Sequence, residues 1–191
     1  MTSSPTDSAQ QTVILDRDGV INQDSDAYIK SDEEWVPIPG SIDAIAALSR
    51  AGFRIVVATN QSGIGRALFD EYALARIHHK MCSMVEEAGG FIDGIFYCPH
   101  TPNDQCDCRK PGTGLLRQIE SEFGISLAGA YFIGDSVKDV EAALAHGCRP
   151  VLVRSGKGLT SELALRSSGV LDLAVFDDLA QAIQELFPVN V

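Results

Sequence analysis

Thr12-Val13-Ile14-Leu15-Asp16-Arg17-Asp18-Gly19-Val20 is a short apolar run that ends in two acids one residue apart, followed by a glycine. An apolar run of this length between polar flanks predicts a buried strand. Acids at i and i+2 of an extended segment point to the same side. At the carboxyl end of a strand they lie where open α/β sheets bind ligands. Such a pair can hold a hard cation, attack an electrophile or carry a proton. An ordinary turn also uses Asp and Gly in this order, because Asp bonds its own backbone and Gly accepts a positive φ. A calcium loop of the EF-hand type does not fit: position 12 counted from Asp16 is Ala27, where that loop needs Glu.

Outward from this run, strand-like and helix-like segments alternate. A helix is predicted over 41–50, with Ser41 as its cap, an apolar face of Ile42, Ile45, Ala46 and Leu48, and Gly52 as its end. Strands follow at 53–58, 92–97, 130–133 and 150–153, with a sixth ending near Val175. Helices are predicted over 70–88, 115–123, 137–145 and 177–186. This alternation predicts a mostly parallel, Rossmann-like sheet with helices on both faces. Only about 40 residues lie between Asp18 and Thr59, too few for a large cap domain, given typical domain sizes.

On a parallel sheet the segments that follow strands meet at one edge. Here they are Asp16 and Asp18, then Thr59-Asn60-Gln61-Ser62-Gly63, then Gly134-Asp135-Ser136-Val137-Lys138-Asp139, with Arg109-Lys110 on a separate loop. Acids, a hydroxyl, amides and cations together suit a phosphate and Mg²⁺, which takes one or two carboxylates and keeps waters. Asp16 and Asp135 are the natural carboxylate ligands. Asp16 can also attack phosphorus. Asp18 can protonate the leaving oxygen and later activate water. The Thr59 hydroxyl and the Lys110 ammonium can stabilise the transferring phosphoryl group, and Asp139 can orient Lys110 or a metal-bound water. Each has an ordinary explanation alone: a strand exit for Thr59-Asn60, a helix cap for Asp135, a surface charge for Lys110. Their joint occurrence after successive strands favours a site.

The 191 residues suit one domain, expected over 12–191 and preceded by a disordered polar tail at 1–11. That tail has no apolar signal-peptide core, so export is not expected, and no apolar segment approaches the ~20 residues that span a bilayer. The net charge of -11 opposes broad binding to nucleic acid or anionic membrane. Of the five cysteines, Cys98, Cys106 and Cys108 crowd together with His100. Three thiols and an imidazole supply the four ligands of a closed structural zinc site; a reduced loop is the plainer alternative. A zinc clip here precedes Arg109-Lys110 directly and would fix the loop that delivers both cations. Cys82 and Cys148 read as inert core thiols in helical segments.

The runs DRDGV (16–20), TNQSG (59–63), RKP (109–111) and GDSVKD (134–139) resemble the four motifs of the haloacid dehalogenase superfamily of phosphohydrolases, and the resemblance spans about 13–153. It implies a Rossmann-like fold, Asp16 as nucleophile, Asp18 as general acid/base, and Mg²⁺ bound by Asp16, Asp135 and the Asp18 main-chain carbonyl. DRDGVIN, TNQSGI, YCPH and CDCRKP are further similar to the D-glycero-D-manno-heptose-1,7-bisphosphate phosphatases, whose close relatives, the histidinol-phosphate phosphatases, share the fold and zinc loop. This implies removal of the 7-phosphate on a bacterial route to nucleotide-activated heptose for lipopolysaccharide or glycoproteins, with Asn60, Gln61, Ser62 and Arg109 as substrate contacts. Residues 24–28 resemble the family's first substrate loop loosely. The chain departs from the pattern at Pro111-Gly112-Thr113-Gly114, where an extra glycine is expected to loosen the loop, and at Ser136, where some members carry Lys. The expected protein is a cytoplasmic monomer acting on a small phosphorylated sugar, with neither nucleic acid nor membrane as partner. Histidinol-phosphate phosphatase is the alternative. A polynucleotide 3′-phosphatase is disfavoured by charge, and a non-catalytic module by the presence of every acid that the chemistry needs.

Overall fold

The computed structural model describes residues 12–170 and 172–187; the expected tail at 1–11 lies outside them. The described strands are β1 (Thr12–Leu15), β2 (Arg54–Asn60), β3 (Gly94–Cys98), β4 (Tyr131–Gly134), β5 (Arg149–Val153) and β6 (Ala174–Phe176). They form one sheet in the order β3-β2-β1-β4-β5-β6, and every pairing is parallel. The order reverses between β1 and β4, which places a ligand crevice beyond their carboxyl ends. Asp16 leaves β1 and Asp135 leaves β4, so the two acids flank that crevice.

The helices are α1 (Ser41–Arg50), α2 (Ser62–Gly65), α3 (Glu71–Glu87), α4 (Gly114–Phe123), α5 (Val137–His146), α6 (Gly158–Ser167) and α7 (Leu179–Leu186). Alternation along β1 and β2 feeds two cores. Val13, Leu15, Ile55 and Val57 pack with Ile45 and Leu48 of α1, Ile77 and Met81 of α3 and Ile183 of α7. Ile14, Val56 and Ala58 face the other way, against Leu116 and Ile119 of α4 and Ala142 and Ala143 of α5. Burial of each large aliphatic chain stabilises by about 1.5–3 kcal/mol, so a strand apolar on both faces is held from both sides. In α3, Leu74, Ile77, Met81 and Val85 recur at helical spacing, and the Asp70 carboxylate caps the helix by accepting from Ala73 N at 2.8 Å.

Three details depart from expectation. Ser41 does not cap α1: that place falls to Gly40 at φ 81°, while Ser41 Oγ donates to Ile21 O at 2.7 Å and ties the helix to the segment after β1. Cys148 is not helical; it is buried just before β5, and its Sγ donates to Leu127 O. Helix α6 was not foreseen. Between β1 and β2 the chain forms a loop and α1 only, so among the described residues no cap domain covers the crevice.

Candidate active site

The backbone of Asp16 still belongs to the sheet, its N–H donating to Ile133 O at 2.9 Å. Its side chain stands over the crevice. Oδ1 accepts from Lys110 Nζ at 2.9 Å and from Arg17 N at 2.7 Å, while Oδ2 has no hydrogen-bond partner among the described residues. One carboxylate oxygen is therefore fixed and the other is open to attack. The Lys110 ammonium has three donors, and it meets Asp16, Asp139 and Ala58 O. Burial alone would depress its pKa, but the charges of Asp139 and Asp16 raise it to about 12. Lys110 is a permanent cation beside the nucleophile.

Asp139 does double duty. Its Oδ2 accepts from Ser136 N and Oγ, closing a capping box at the start of α5, and its Oδ1 pairs with Lys110. Asp135 therefore does not cap α5, since Ser136 does. The Asp135 Oδ2 accepts from Lys157 N at 2.7 Å. A Cβ on Gly19, where φ is +82°, would stand 2.1 Å from that same oxygen, so only glycine keeps the carboxylate clear there.

Asp16, Asp135 and Asp139 gather their oxygens within 4.8 Å of one another. Burial, and then the neighbouring acids, raise Asp135 to about 8. Burial raises Asp16 to about 7 even though Lys110 opposes the shift. With Asp139 committed to Lys110, the oxygens of Asp16 and Asp135 form a hard carboxylate pair that suits Mg²⁺.

Asp18 is held differently. Arg17 Nε (3.1 Å) and Nη2 (2.8 Å) and Asn22 Nδ2 (2.9 Å) donate to its Oδ1; Arg17 Nη2 (2.9 Å) and Gln61 Nε2 (2.8 Å) donate to its Oδ2. Burial would raise this carboxyl, but Arg17 and these hydrogen bonds win and hold it below the ordinary value.

The mouth of the site is a cleft of about 390 Å³ lined by Asp16, Asp18, Thr59, Asn60, Gln61, Ser62, Arg109, Lys110 and Asp135, with Asp24, Ser25, Asp26, Tyr28 and Ile29 as one wall and Lys138 and Lys157 at the edge. All the residues singled out from the strand ends are thus brought together. Two of them face inward in an unforeseen way. The Asn60 amide donates to Lys110 O and accepts from Lys110 N, pinning that residue's main chain. The Gln61 amide is engaged with Asp18, Thr59 and Arg17. Ser62, buried and without a side-chain hydrogen bond among the described residues, and Arg109, whose Nη1 donates to His100 O, remain turned to the cleft.

Cys98, His100, Cys106 and Cys108 converge as expected from the sequence. Their Sγ atoms lie 3.3–3.6 Å apart, and His100 Nδ1 is 3.2 Å from Cys108 and 3.6 Å from Cys98. These separations far exceed a disulfide bond. They approach the edges of a tetrahedron with ~2.3 Å metal–sulfur bonds, roughly 3.8 Å. The extra glycines do not loosen the segment after Lys110. A Cβ on Gly112 or Gly114 would stand 2.5 or 2.6 Å from Asp107 O, so both are places where the chain presses against the cysteine loop.

Sequence reasoning missed Arg17, His78 and Lys157. Arg17 is fully buried, and its Nη1 lies 3.4 Å from His78 Nε2. Lys157 pairs with Asp24 at 3.1 Å and Asp26 at 3.7 Å, bracing the cleft wall. Arg17 stands between Asp16 and Asp18, and a cation between two acids was the available signal.

Residues 107–182 match the family model described as HAD-hydrolase-like. The chain is 54% identical over 174 residues to the D-glycero-beta-D-manno-heptose-1,7-bisphosphate 7-phosphatase of Pseudomonas putida, covering 91% of this chain and 98% of that one. It is 38% identical to the Escherichia coli K12 protein of the same name, over 91% and 93% of the two chains. The crystal structure of D,D-heptose 1,7-bisphosphate phosphatase from B. bronchiseptica, complexed with magnesium and phosphate, superposes with a TM-score of 0.86 at 46% identity, over 92% of this chain and 97% of that one. With the site's acids, lysine and cysteine loop in place, the chain belongs to the heptose-bisphosphate phosphatase family of haloacid dehalogenase-like hydrolases.

Proposed function

We propose that this chain is a phosphomonoesterase that removes the 7-phosphate of D-glycero-β-D-manno-heptose 1,7-bisphosphate, supplying a heptose 1-phosphate for nucleotide-activated heptose. The observation that carries the reading is the meeting of Asp16, Lys110 and Asp135 at the crevice between β1 and β4. The relatives' names supply the sugar, and Arg109 at the cleft mouth supplies a cation for a second phosphate.

The chemistry is set by the side chains. Arg17 and Gln61 favour the ionised form of Asp18, so it must take up a proton as the substrate binds. The Asp16 Oδ2 then attacks phosphorus, and the bond to the 7-oxygen breaks as that oxygen takes this proton, leaving an aspartyl-phosphate and an alcohol. Asp18, now a carboxylate, takes a proton from water as the water attacks phosphorus; phosphate departs and Asp16 is restored. Thr59 Oγ1 accepts from Gln61 at 3.0 Å, which leaves its own proton free for a phosphoryl oxygen. Lys110 offsets negative charge beside the nucleophile, and Ser62 is turned to the cleft. Asp16 and Asp135, with the Asp18 carbonyl that the family resemblance implies, would hold Mg²⁺, which would supply charge neutralisation at the phosphoryl group. Phosphate release from the heptose bisphosphate is expected to require Mg²⁺ and to fall to background in Asp16→Asn. Turnover that survives that substitution would refute the nucleophile.

The cysteine loop is read as a closed structural zinc site that fixes Arg109 and Lys110. Metal analysis of the purified protein is expected to return stoichiometric zinc; a fully active, zinc-free protein would refute it. The protein is further read as a single domain over 12–191 and as a cytoplasmic monomer, with neither nucleic acid nor membrane as partner. The net charge of -11 opposes nucleic acid and anionic membrane as partners, and among the described residues no helix is long and apolar enough to cross a membrane. Size-exclusion chromatography checks the monomer.

A further inference from the structure

We propose that Gln61 is a positioning residue for Asp18 and not a contact to the substrate. The proposal rests on the reading of Asp18 as the proton-transferring group.

The geometry of the amide carries it. Gln61 is almost fully buried. Its Nε2 donates to Asp18 Oδ2 at 2.8 Å and to Thr59 Oγ1 at 3.0 Å, and its Oε1 accepts from Arg17 Nη2 at 3.1 Å. The orientation is fixed by chemistry: a guanidinium only donates, so the amide oxygen must face Arg17. Both Nε2 protons are then committed inside the protein, and none is left for a ligand. Arg17 is fixed in turn. It is fully buried, binds Asp18 through Nε and Nη2, and places Nη1 against His78 Nε2, which must be an acceptor there and so puts the ring proton on Nδ1. His78 packs its ring edge-on to Tyr97, with centroids 6.0 Å apart. The result is a connected support, His78 to Arg17 to Gln61 to Asp18, running from α3 to the segments that follow β1 and β2.

A support of this kind matters only where the orientation of Asp18 matters. A sugar alkoxide is a poor leaving group and needs a well-placed proton. A nitrophenolate leaves without one. General acid catalysis contributes about 10²–10⁴-fold, and small misplacements can cost about 10²-fold. A loss of orientation should therefore appear with the sugar phosphate and not with the aryl phosphate.

The test measures the first step alone, using single-turnover transfer from heptose bisphosphate and the p-nitrophenol burst from p-nitrophenyl phosphate, in the same preparation. The ratio of the two rates does not depend on the folded fraction. Gln61→Met is expected to slow the sugar phosphate about ten- to a hundredfold, to change the burst rate less than about threefold and to leave KM within about threefold. His78→Gln, more distant, is expected to shift the ratio in the same direction by less, and it serves if Gln61→Met does not fold. Equal losses with both leaving groups, no loss with either, or a raised KM with retained rates would overturn the proposal. Asp18→Asn is the control. If it leaves the ratio unchanged, the reading of Asp18 itself falls; if it shifts the ratio and Gln61→Met does not, only the role of Gln61 falls.

Discussion

Asp135 sits in a buried site facing Asp16, and burial with like-charge repulsion pushes its carboxyl up to about 8. Two carboxylates so placed are stable as anions only beside a cation. Asp135→Asn removes the repulsion and keeps an oxygen for the Lys157 N–H. In EDTA at pH 8.5 this variant is expected to be more stable than the wild type by about 1–3 kcal/mol in denaturant unfolding. In Mg²⁺ the wild type should recover that difference, and the variant should be inactive. A variant less stable than the wild type in EDTA would contradict this electrostatic picture. His78 makes the opposite kind of statement. Burial first, then the Arg17 charge, lower its pKa to about 3, against an ordinary 6.5. The folded protein therefore holds it neutral, and the unfolded chain gains a proton below 6.5. Stability present above pH 6.5 is lost as pH falls toward 3. At roughly 1.4 kcal/mol per unit over the two units below 6.5, the free-energy difference between wild type and His78→Gln should shift against the wild type by about 2–3 kcal/mol between pH 7 and pH 4.5. A pH-independent difference would refute it.

At the scale of elements, the cysteine loop and the start of α4 hold each other. Gly114 presses against the Asp107 carbonyl and the Cys108 backbone, so Gly114→Ala must displace the loop that presents Cys108, Arg109 and Lys110. An overpacking cost of about 1–3 kcal/mol is expected in thermal or denaturant unfolding, with weaker zinc retention and lower kcat. Unchanged zinc content and kcat would show that the loop moves independently of the site. The strand ends were legible in the sequence because the chemistry there repeats a simple pattern: an apolar run, then polar residues. Asp16, Thr59 and Asp135 all follow it. Helix α6 was not legible because its pattern is inverted. Leu159 and Leu163 are 62% and 69% exposed, while Gly158, Ser161 and Glu162 are buried, the last paired with Arg154 and Arg166. Leu165 is the one large apolar side chain on the buried face, and hydrophobic periodicity finds no apolar stripe in such a segment. Asn60 and Gln61 lay in the right place, but sequence cannot tell an amide turned to a ligand from one that holds its neighbours.

For the whole molecule, the topology does the positioning. Reversal of strand order between β1 and β4 opens the crevice, and parallel pairing sends all the strand ends to one edge. The chain carries a net charge of -11, so an anionic substrate must be drawn by local groups: Lys110 within, and Arg109 and Lys138 at the cleft, where Lys157 is already paired with Asp24 and Asp26. No cap among the described residues selects the substrate, so the choice falls to these cations and to the wall at 24–29. A substrate with a second phosphate is better matched to them than a monophosphate bearing a cationic amine. The most direct measurement is kcat/KM for D-glycero-β-D-manno-heptose 1,7-bisphosphate and for histidinol phosphate, with Mg²⁺, on one preparation. The expected result is a preference of about a hundredfold or more for the heptose bisphosphate. Equal values, or a preference for histidinol phosphate, would contradict the assignment.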